Sequence, residues 1–98
     1  MSDPRFEWDP AKAAVNARKL GVSFHEAQTV FSDERGLFLD DPDHSTGEER
    51  FILLGLSAAL RTLVVVHSYR ETRDSIRIIS ARKATRPERA GYEKRWQS

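Results

Sequence analysis

The sequence contains no cysteine, so disulfide bonds and thiolate metal sites are excluded. Glycine is scarce, with five residues, and neither a P-loop nor a G-x-G-x-x-G motif occurs to hold the phosphates of a nucleotide cofactor. A G-x-S-x-G serine nucleophile is absent as well. No apolar run approaches the roughly 20 residues of a membrane helix, and the first residues lack the apolar core of a signal peptide. These absences predict a protein without a cofactor or membrane contact and fit a reducing cytoplasm.

The composition is that of a soluble globular protein, with 39% hydrophobic and 32% charged residues. Its 98 residues predict a single domain spanning 1–98. The net charge of +1 conceals a segregation: residues 1–60 hold 6 basic and 11 acidic side chains, whereas residues 61–98 hold 10 basic and 4 acidic ones. A basic second half is compatible with a polyanionic partner, and equally with neutralisation of one half by the other.

Helix signals follow a short strand or arm at residues 6–8. Asp9 and Pro10 are typical of the N-cap and first position of a helix, and Gly21 is typical of its end. The expected apolar stripe of this helix is Ala11, Ala14 and Val15. A capping box formed by Ser23 and Glu26 starts a second helix, so an N-terminal helical hairpin is predicted.

Four strands are predicted after the hairpin, at 36–39, 50–56, 62–69 and 76–82. Their short connections indicate antiparallel pairing. A capping box at Thr85 and Glu88 then begins a last helix that runs to about Trp96. The expected fold is α+β, with a helical hairpin, a four-stranded antiparallel sheet and a C-terminal helix, in the order ααββββα.

Arginines interrupt the last predicted strand, which is otherwise rich in isoleucine. Arg77 and Arg82 lie within it, and Arg70 lies upstream. A planar guanidinium suits phosphate, so one interpretation is an anion site carried by a core strand. The alternative is that these side chains are solvated or paired with carboxylates. On a regular strand Arg77 and Arg82 face opposite sides, so one of them could pair with Glu88, unless a β-bulge changes the alternation.

Three histidines offer acid–base chemistry. His25 is expected to be solvated, and His67, in an apolar strand, to be a core residue. His44 lies in an acidic loop, where a histidine can act as a general acid or base or can simply be exposed. Asp40, Asp41, Asp43 and His44 also suggest a cation site, but their spacing fits no EF-hand, so no metal is predicted.

Arginine, histidine, glutamate and tyrosine together suit metal-independent RNA cleavage, in which the ribose 2′-hydroxyl is the nucleophile. The arginines would stabilise the charge on phosphorus, and His44 or Glu49 would accept the 2′ proton. A turn near Ala58 and Ala59 places His44 close to Arg70 across the sheet edge. The predicted catalytic residues are His44, Glu49, Arg70, Arg77, Arg82 and Tyr92, with Arg73 and Lys83 as RNA-binding residues. The alternative function is that of a non-catalytic nucleic-acid-binding regulatory subunit.

The chain resembles the BrnT toxin family over residues 6–93. The resemblance is carried by Phe6-Glu7-Trp8-Asp9, Lys12, Asn16, Lys19-Leu20-Gly21-Val22-Ser23-Phe24, Ala27, Phe31-Ser32-Asp33, Glu49-Arg50, Leu54-Gly55, Val64-Val65-Val66, Ile76-Arg77-Ile78-Ile79-Ser80-Ala81-Arg82-Lys83-Ala84, Glu88 and Tyr92. The sequence departs from the family at Leu20, where a histidine is common, which puts any role of that position in doubt.

This resemblance implies a RelE-like fold and a ribonuclease toxin of a type II toxin–antitoxin pair in a bacterial cytoplasm. The implied substrate is RNA, whose cleavage would inhibit translation. The implied partner is a BrnA-like antitoxin with a ribbon-helix-helix DNA-binding domain. Promoter DNA would be contacted only through that antitoxin.

Overall fold

A computed structural model describes residues 4–40, 49–70 and 74–95. Its strands are β1 (Arg5–Glu7), β2 (Leu37–Asp40), β3 (Phe51–Leu56), β4 (Thr62–Arg70) and β5 (Ser75–Lys83). Its helices are α1 (Pro10–Leu20), α2 (Phe24–Thr29), which a short 3₁₀ turn (Val30–Ser32) extends, and α3 (Arg86–Lys94). Within these ranges, no helix combines the length and apolar character that crossing a membrane requires.

The sheet has five strands and is mixed, so the predicted four-stranded antiparallel sheet behind a helical hairpin is wrong. The strand order is β1-β5-β4-β3-β2, and β1 pairs in parallel with the start of β5. The pairing begins with a hydrogen bond of 2.7 Å from the Arg5 N–H to the Asp74 carbonyl. Phe6 fixes the strand by packing edge-on against Phe31 at 5.1 Å between ring centroids. A strand of three residues is too short to show the alternation of apolar and polar side chains, so the sequence predicted only a strand or an arm at residues 6–8.

The predicted helix boundaries are confirmed where short-range chemistry sets them. The Asp9 carboxylate accepts from the N–H groups of the first turn of α1, and Gly21 ends the helix at a φ of 72°. Thr85 and Glu88 form the complete capping box of α3. Ser23 caps α2, but Glu26 does not return the bond, because its carboxylate binds Arg61 and Ser57 at the β3–β4 turn.

The apolar stripe predicted for α1 is wrong. Ala11 and Ala14 are exposed, and Val15 is 38% exposed. The buried residue of α1 is Asn16, while Ala13 packs against the core. The helix lies along the outer edge of β5, where polar contacts with the strand backbone replace an apolar stripe.

The sheet separates two apolar layers. One layer, between the sheet and the α1–α2 side, is built from nine buried residues: Val22, Phe24, Ala27, Val30, Leu53, Leu63, Val65, Ile78 and Ala81. The other layer is smaller and consists of Leu54, Val64 and Tyr92, the last from α3. Since α3 has only nine residues, it covers one end of its side of the sheet. No other helix of the described residues packs on the rest of that side, which we call the open part.

Candidate functional site

A β-bulge in β5 places Arg77 and Arg82 on the same side of the sheet. Val66 pairs with Ser80, whereas the next residue of β4, His67, pairs with Ile78, so that Ile79 has no partner. The extra residue reverses the alternation of side chains along β5. Arg77 therefore lies on the α3 side together with Arg82. This is the β-bulge that the sequence analysis named as the exception to regular alternation.

Polar side chains form a row across the open part of this side. Arg77 lies between Glu7 on β1 and Ser68 on β4, which are its paired neighbours. Arg50 directly precedes Phe51, the partner of His67, so the same register places Arg50 beside Ser68. Neighbouring positions in such a row are about 5 Å apart. By this register Arg50 and Arg77 lie on either side of Ser68, which is buried.

Neither Arg50 nor Arg77 has a carboxylate within ion-pair distance in the part of the chain that the structure describes. Both side chains are half-buried. A partly desolvated arginine without a counter-ion is costly to the fold, because water and carboxylates normally compensate its charge. Such a pair is instead suited to binding an anion.

Arg82 is engaged differently, because it forms a bidentate ion pair with Glu88 on α3. The two N–H···O distances are 2.8 and 2.9 Å. The Arg82 guanidinium lowers the pKa of Glu88 to about 2. This is the pairing that the sequence offered as an alternative. Arg82 therefore fastens α3 to β5 at the margin of the open surface, and its donors to the carboxylate are already occupied.

Arg70 ends β4 on the same side of the sheet as Arg77. Its Nε lies 4.0 Å from a carboxylate oxygen of Glu7, and both side chains are about half exposed. The Ser75 hydroxyl donates to that same Glu7 oxygen at 2.9 Å. An exposed pair at this distance is weak, so Arg70 remains available to a ligand at the open end of the sheet.

Tyr92 lies inside the smaller core layer and is 1% exposed. Its hydroxyl donates to the Asp33 carboxylate, which also accepts from the Leu56 N–H at 2.8 Å. Burial alone would raise the pKa of Asp33, but these hydrogen bonds hold it below its usual value. Tyr92 joins α3 to the sheet and contributes no accessible group, so we leave it out of the proposed site.

The remaining predicted residues lie apart from the row or outside the described residues. Glu49 is exposed next to Arg50. Lys83 pairs with Leu63 and so lies on the α1–α2 side of the sheet. Outside the described residues are His44, Arg73 and the aspartates Asp41 and Asp43 of the suggested cation site. In the three described ranges, no group of at least three carboxylate or imidazole side chains could hold a metal ion.

The sequence did not single out Arg50, which lies in the polar row, or Lys12, which lines a small cavity together with Arg50 and Arg77. Arg50 was interpreted as the first residue of a core strand, although a charged side chain is rarely fully buried without a partner. Lys12 was counted as a polar helix residue. Strand alternation from Leu54 would have placed Arg50 on the α3 side, but the position of Lys12 depends on how α1 lies against β5.

His67 is a core histidine, as expected, and it lies in an aromatic cluster. The rings of Phe31, Phe38, Phe51 and Tyr69 surround it at centroid distances of 4.8 to 6.2 Å. The cluster is on the α1–α2 side, opposite Arg77. The sheet therefore separates His67 from the open arginine surface.

Burial lowers the pKa of His67 to about 4, although the Val65 carbonyl, 3.2 Å from Nδ1, acts in the opposite direction. We expect the free energy of unfolding to fall as the pH drops below about 6.5. In this range the His67 imidazole is protonated in the unfolded state but stays neutral in the folded state. The loss from this residue alone is about 2 kcal/mol at pH 5. Urea unfolding of wild type and His67→Leu at pH 7 and pH 5 measures it. An identical pH dependence in both proteins would contradict this assignment.

Two comparisons relate the chain to known proteins. The family model described as "Ribonuclease toxin, BrnT, of type II toxin-antitoxin system" matches residues 8–88. Among solved structures, the Brucella abortus ribonuclease toxin BrnT is similar, with a TM-score of 0.61 and 20% sequence identity. That match covers 85% of this chain and 99% of the Brucella chain, and it supports the fold. None of the curated proteins matches the chain.

The family match spans most of the sequence, from Trp8 before α1 to Glu88 in α3. It includes both arginines of the open surface and the Arg82–Glu88 pair. The chain therefore belongs to the BrnT family of ribonuclease toxins of type II toxin–antitoxin systems.

Proposed function

We propose that this protein is a metal-independent endoribonuclease that cleaves RNA on the open α3 side of the sheet. The observation that carries the proposal is the pair of half-buried arginines, Arg50 and Arg77, which flank Ser68 without a carboxylate partner among the described residues. Guanidinium groups supply the charge stabilisation that a metal ion would otherwise give to phosphorus chemistry. Membership of a ribonuclease toxin family supports RNA as the substrate.

The chemistry requires only the ribose and the phosphodiester. The 2′ oxygen attacks phosphorus, its proton passes to a base, and the bond to the 5′ oxygen breaks as that oxygen gains a proton. In this mechanism Arg77 stabilises the additional negative charge on the phosphorane, together with Arg70 at the same end of the sheet. Glu49, beside Arg50, and His44 are the proposed proton acceptors. The products are a 2′,3′-cyclic phosphate and a 5′-hydroxyl.

Purified protein should cleave RNA in the presence of EDTA, because every charged group in this mechanism belongs to the chain or the substrate. Mapping the product ends should give a cyclic phosphate or 3′-phosphate together with a 5′-hydroxyl. Arg77→Ala, in which cleavage should be strongly reduced, is the matched control for contaminating nucleases. Cleavage that requires added magnesium and leaves 5′-phosphates would contradict the mechanism. RNA binding without any cleavage would instead indicate a regulatory subunit.

A type II system supplies an antitoxin as the partner of such a toxin. We propose that the partner is BrnA-like, with a ribbon-helix-helix domain that binds promoter DNA on behalf of the complex. The toxin would then act in the cytoplasm, inhibit translation through RNA cleavage and be neutralised by complex formation. Co-expression of the toxin with its neighbouring reading frame, followed by co-purification and a growth assay, tests this partnership.

A further inference from the structure

A small cavity opens where the first turn of α1 meets the bulge of β5. It encloses about 80 Å³ and is lined by Asp9, Lys12, Arg50, Arg77, Ile78 and Ile79. A single water needs roughly 10–15 Å³ of such space, so the cavity has room for a larger polar group. Its lining combines three cationic side chains, from α1, β5 and the residue before β3, with one carboxylate.

Arg50 carries the strongest indication that this cavity binds a ligand. Its Nε is buried, yet it has no hydrogen-bond partner in the part of the chain that the structure describes. A buried donor that belongs to a charged group is expensive to leave unsatisfied. An acceptor other than the described residues would complete the arrangement, and the cavity that Arg50 lines has room for one.

The bulge explains why the cations meet at this point. Without the extra residue, Ile79, the side chain of Arg77 would face the α1–α2 side, away from Arg50. Lys12 reaches the cavity because α1 lies along the edge of β5 rather than above it. The bulge in β5 and the position of α1 therefore both bring positive charge to this cavity.

Asp9 is the one acidic member of the lining, and its role is local. Its Oδ1 accepts from the Ala11 N–H at 2.8 Å, as the N-cap of α1. Three cations against one carboxylate leave the cavity with a net positive charge. An anion is thus the favoured occupant, and a metal cation is disfavoured.

We propose that Lys12, Arg50 and Arg77 form a phosphate-binding subsite that holds a phosphodiester group of the RNA. The inference rests on the proposed function and extends it, since it adds Lys12 as a substrate-contacting residue and assigns Lys12, Arg50 and Arg77 to one phosphate. Guanidinium groups bind phosphate through two parallel N–H···O bonds, and the Lys12 ammonium adds a point charge. Because Arg77 belongs to this subsite and to the open row, the bound phosphate lies at the reacting centre or directly next to it.

The test measures binding separately from cleavage. A labelled 2′-O-methyl RNA oligonucleotide lacks the nucleophile, so its dissociation constant is obtained without turnover, at several NaCl concentrations. We expect Arg50→Gln and Lys12→Gln each to weaken binding about tenfold or more at low salt. Each should also reduce the slope of log K against log salt concentration by about 0.7, the value for one phosphate contact of a single strand.

Two further variants make the result specific. Arg50→Lys keeps the charge but loses the planar fork, so its salt slope should stay near that of wild type while its affinity falls. Lys19→Gln, on the same helix but outside the cavity, should behave as wild type. Thermal unfolding of Arg50→Gln should occur near the wild-type temperature, because no carboxylate of the described residues loses a partner.

The outcomes separate this inference from the proposed function. If the wild type binds the oligonucleotide through Arg50 and Lys12 but never cleaves RNA, the subsite stands and the nuclease proposal fails. If RNA is cleaved while Arg50→Gln retains wild-type affinity and salt slope, the subsite is refuted. It is equally refuted if a glutamate-rich peptide, and not RNA, requires Arg50 for binding, since the site would then recognise an acidic protein segment.

Discussion

Arg77→Ala is expected to reduce the rate of RNA cleavage by about 100-fold or more, with the fold left intact. Arg77 stands at the centre of the open row, between Glu7 and Ser68, and lines the cationic cavity. In the proposed mechanism, its loss removes the group that stabilises charge appearing only in the transition state. Since Arg77 forms no ion pair with the described residues, its removal leaves no buried carboxylate behind.

The measurement is single-turnover cleavage of a defined RNA, with circular dichroism and thermal unfolding as folding controls. Arg18→Ala, in the exposed last turn of α1, is the matched surface control and should cleave at the wild-type rate. Arg82→Ala provides the contrast, because it leaves Glu88 unpaired and should lower the unfolding temperature along with any activity. A folded Arg77→Ala protein with wild-type cleavage would remove this surface from the mechanism.

The placement of Arg77 shows where sequence reasoning ended. An alternating strand predicts that residues five apart face opposite sides, and that rule holds along most of β5. The exception depends on Ile79, which has no partner on β4. Nothing in an isoleucine indicates a bulge, because the bulge arises from how two strands fit together. The sequence could therefore state both alternatives and could not choose between them.

Three helix ends controlled by near neighbours were predicted correctly, whereas the Ser23–Glu26 capping box was only half right, because distant residues bind the Glu26 carboxylate. Asp9, Gly21 and Thr85 each act on residues within one turn of helix, so their chemistry is visible in a short window. β1 was not predicted as part of the sheet, because its partner on β5 is about 70 residues away along the chain. The Arg82–Glu88 pair has an intermediate separation of six residues along the chain. The sequence could therefore suggest this ion pair as one of two possibilities for Arg82.

The position of α1 is the clearest case of a long-range contact that the sequence conceals. Its predicted stripe of small apolar residues lies in solvent, and Asn16 takes the buried position instead. The Asn16 side-chain amide donates to the carbonyls of Val22 at 2.9 Å and Ala81 at 2.8 Å. Its oxygen accepts from the Ala81 N–H at 3.2 Å. The Asn16 side chain therefore forms the hydrogen bonds with β5 that a neighbouring strand would otherwise form, and it also binds the turn after α1.

Asn16→Ala is expected to lower the free energy of unfolding by roughly 3 kcal/mol or more, because three backbone groups lose their partner and each buried, unsatisfied group costs about 1–3 kcal/mol. Urea denaturation at neutral pH measures the change. Asn16→Asp tests the direction of the hydrogen bonds: its carboxylate can still accept from the Ala81 N–H, but it repels both carbonyl oxygens. It should therefore destabilise the protein at least as much as Asn16→Ala.

Arg18→Ala, on the exposed side of the same helix, should change the free energy of unfolding by no more than about 0.5 kcal/mol. The comparison also bears on the site, because α1 delivers Lys12 to the cationic cavity. If Asn16 holds α1 against β5, Asn16→Ala should weaken RNA binding in addition to stability, even at urea concentrations where the protein is still folded. Unfolding midpoints that coincide for Asn16→Ala and Arg18→Ala would show that α1 is held by other contacts.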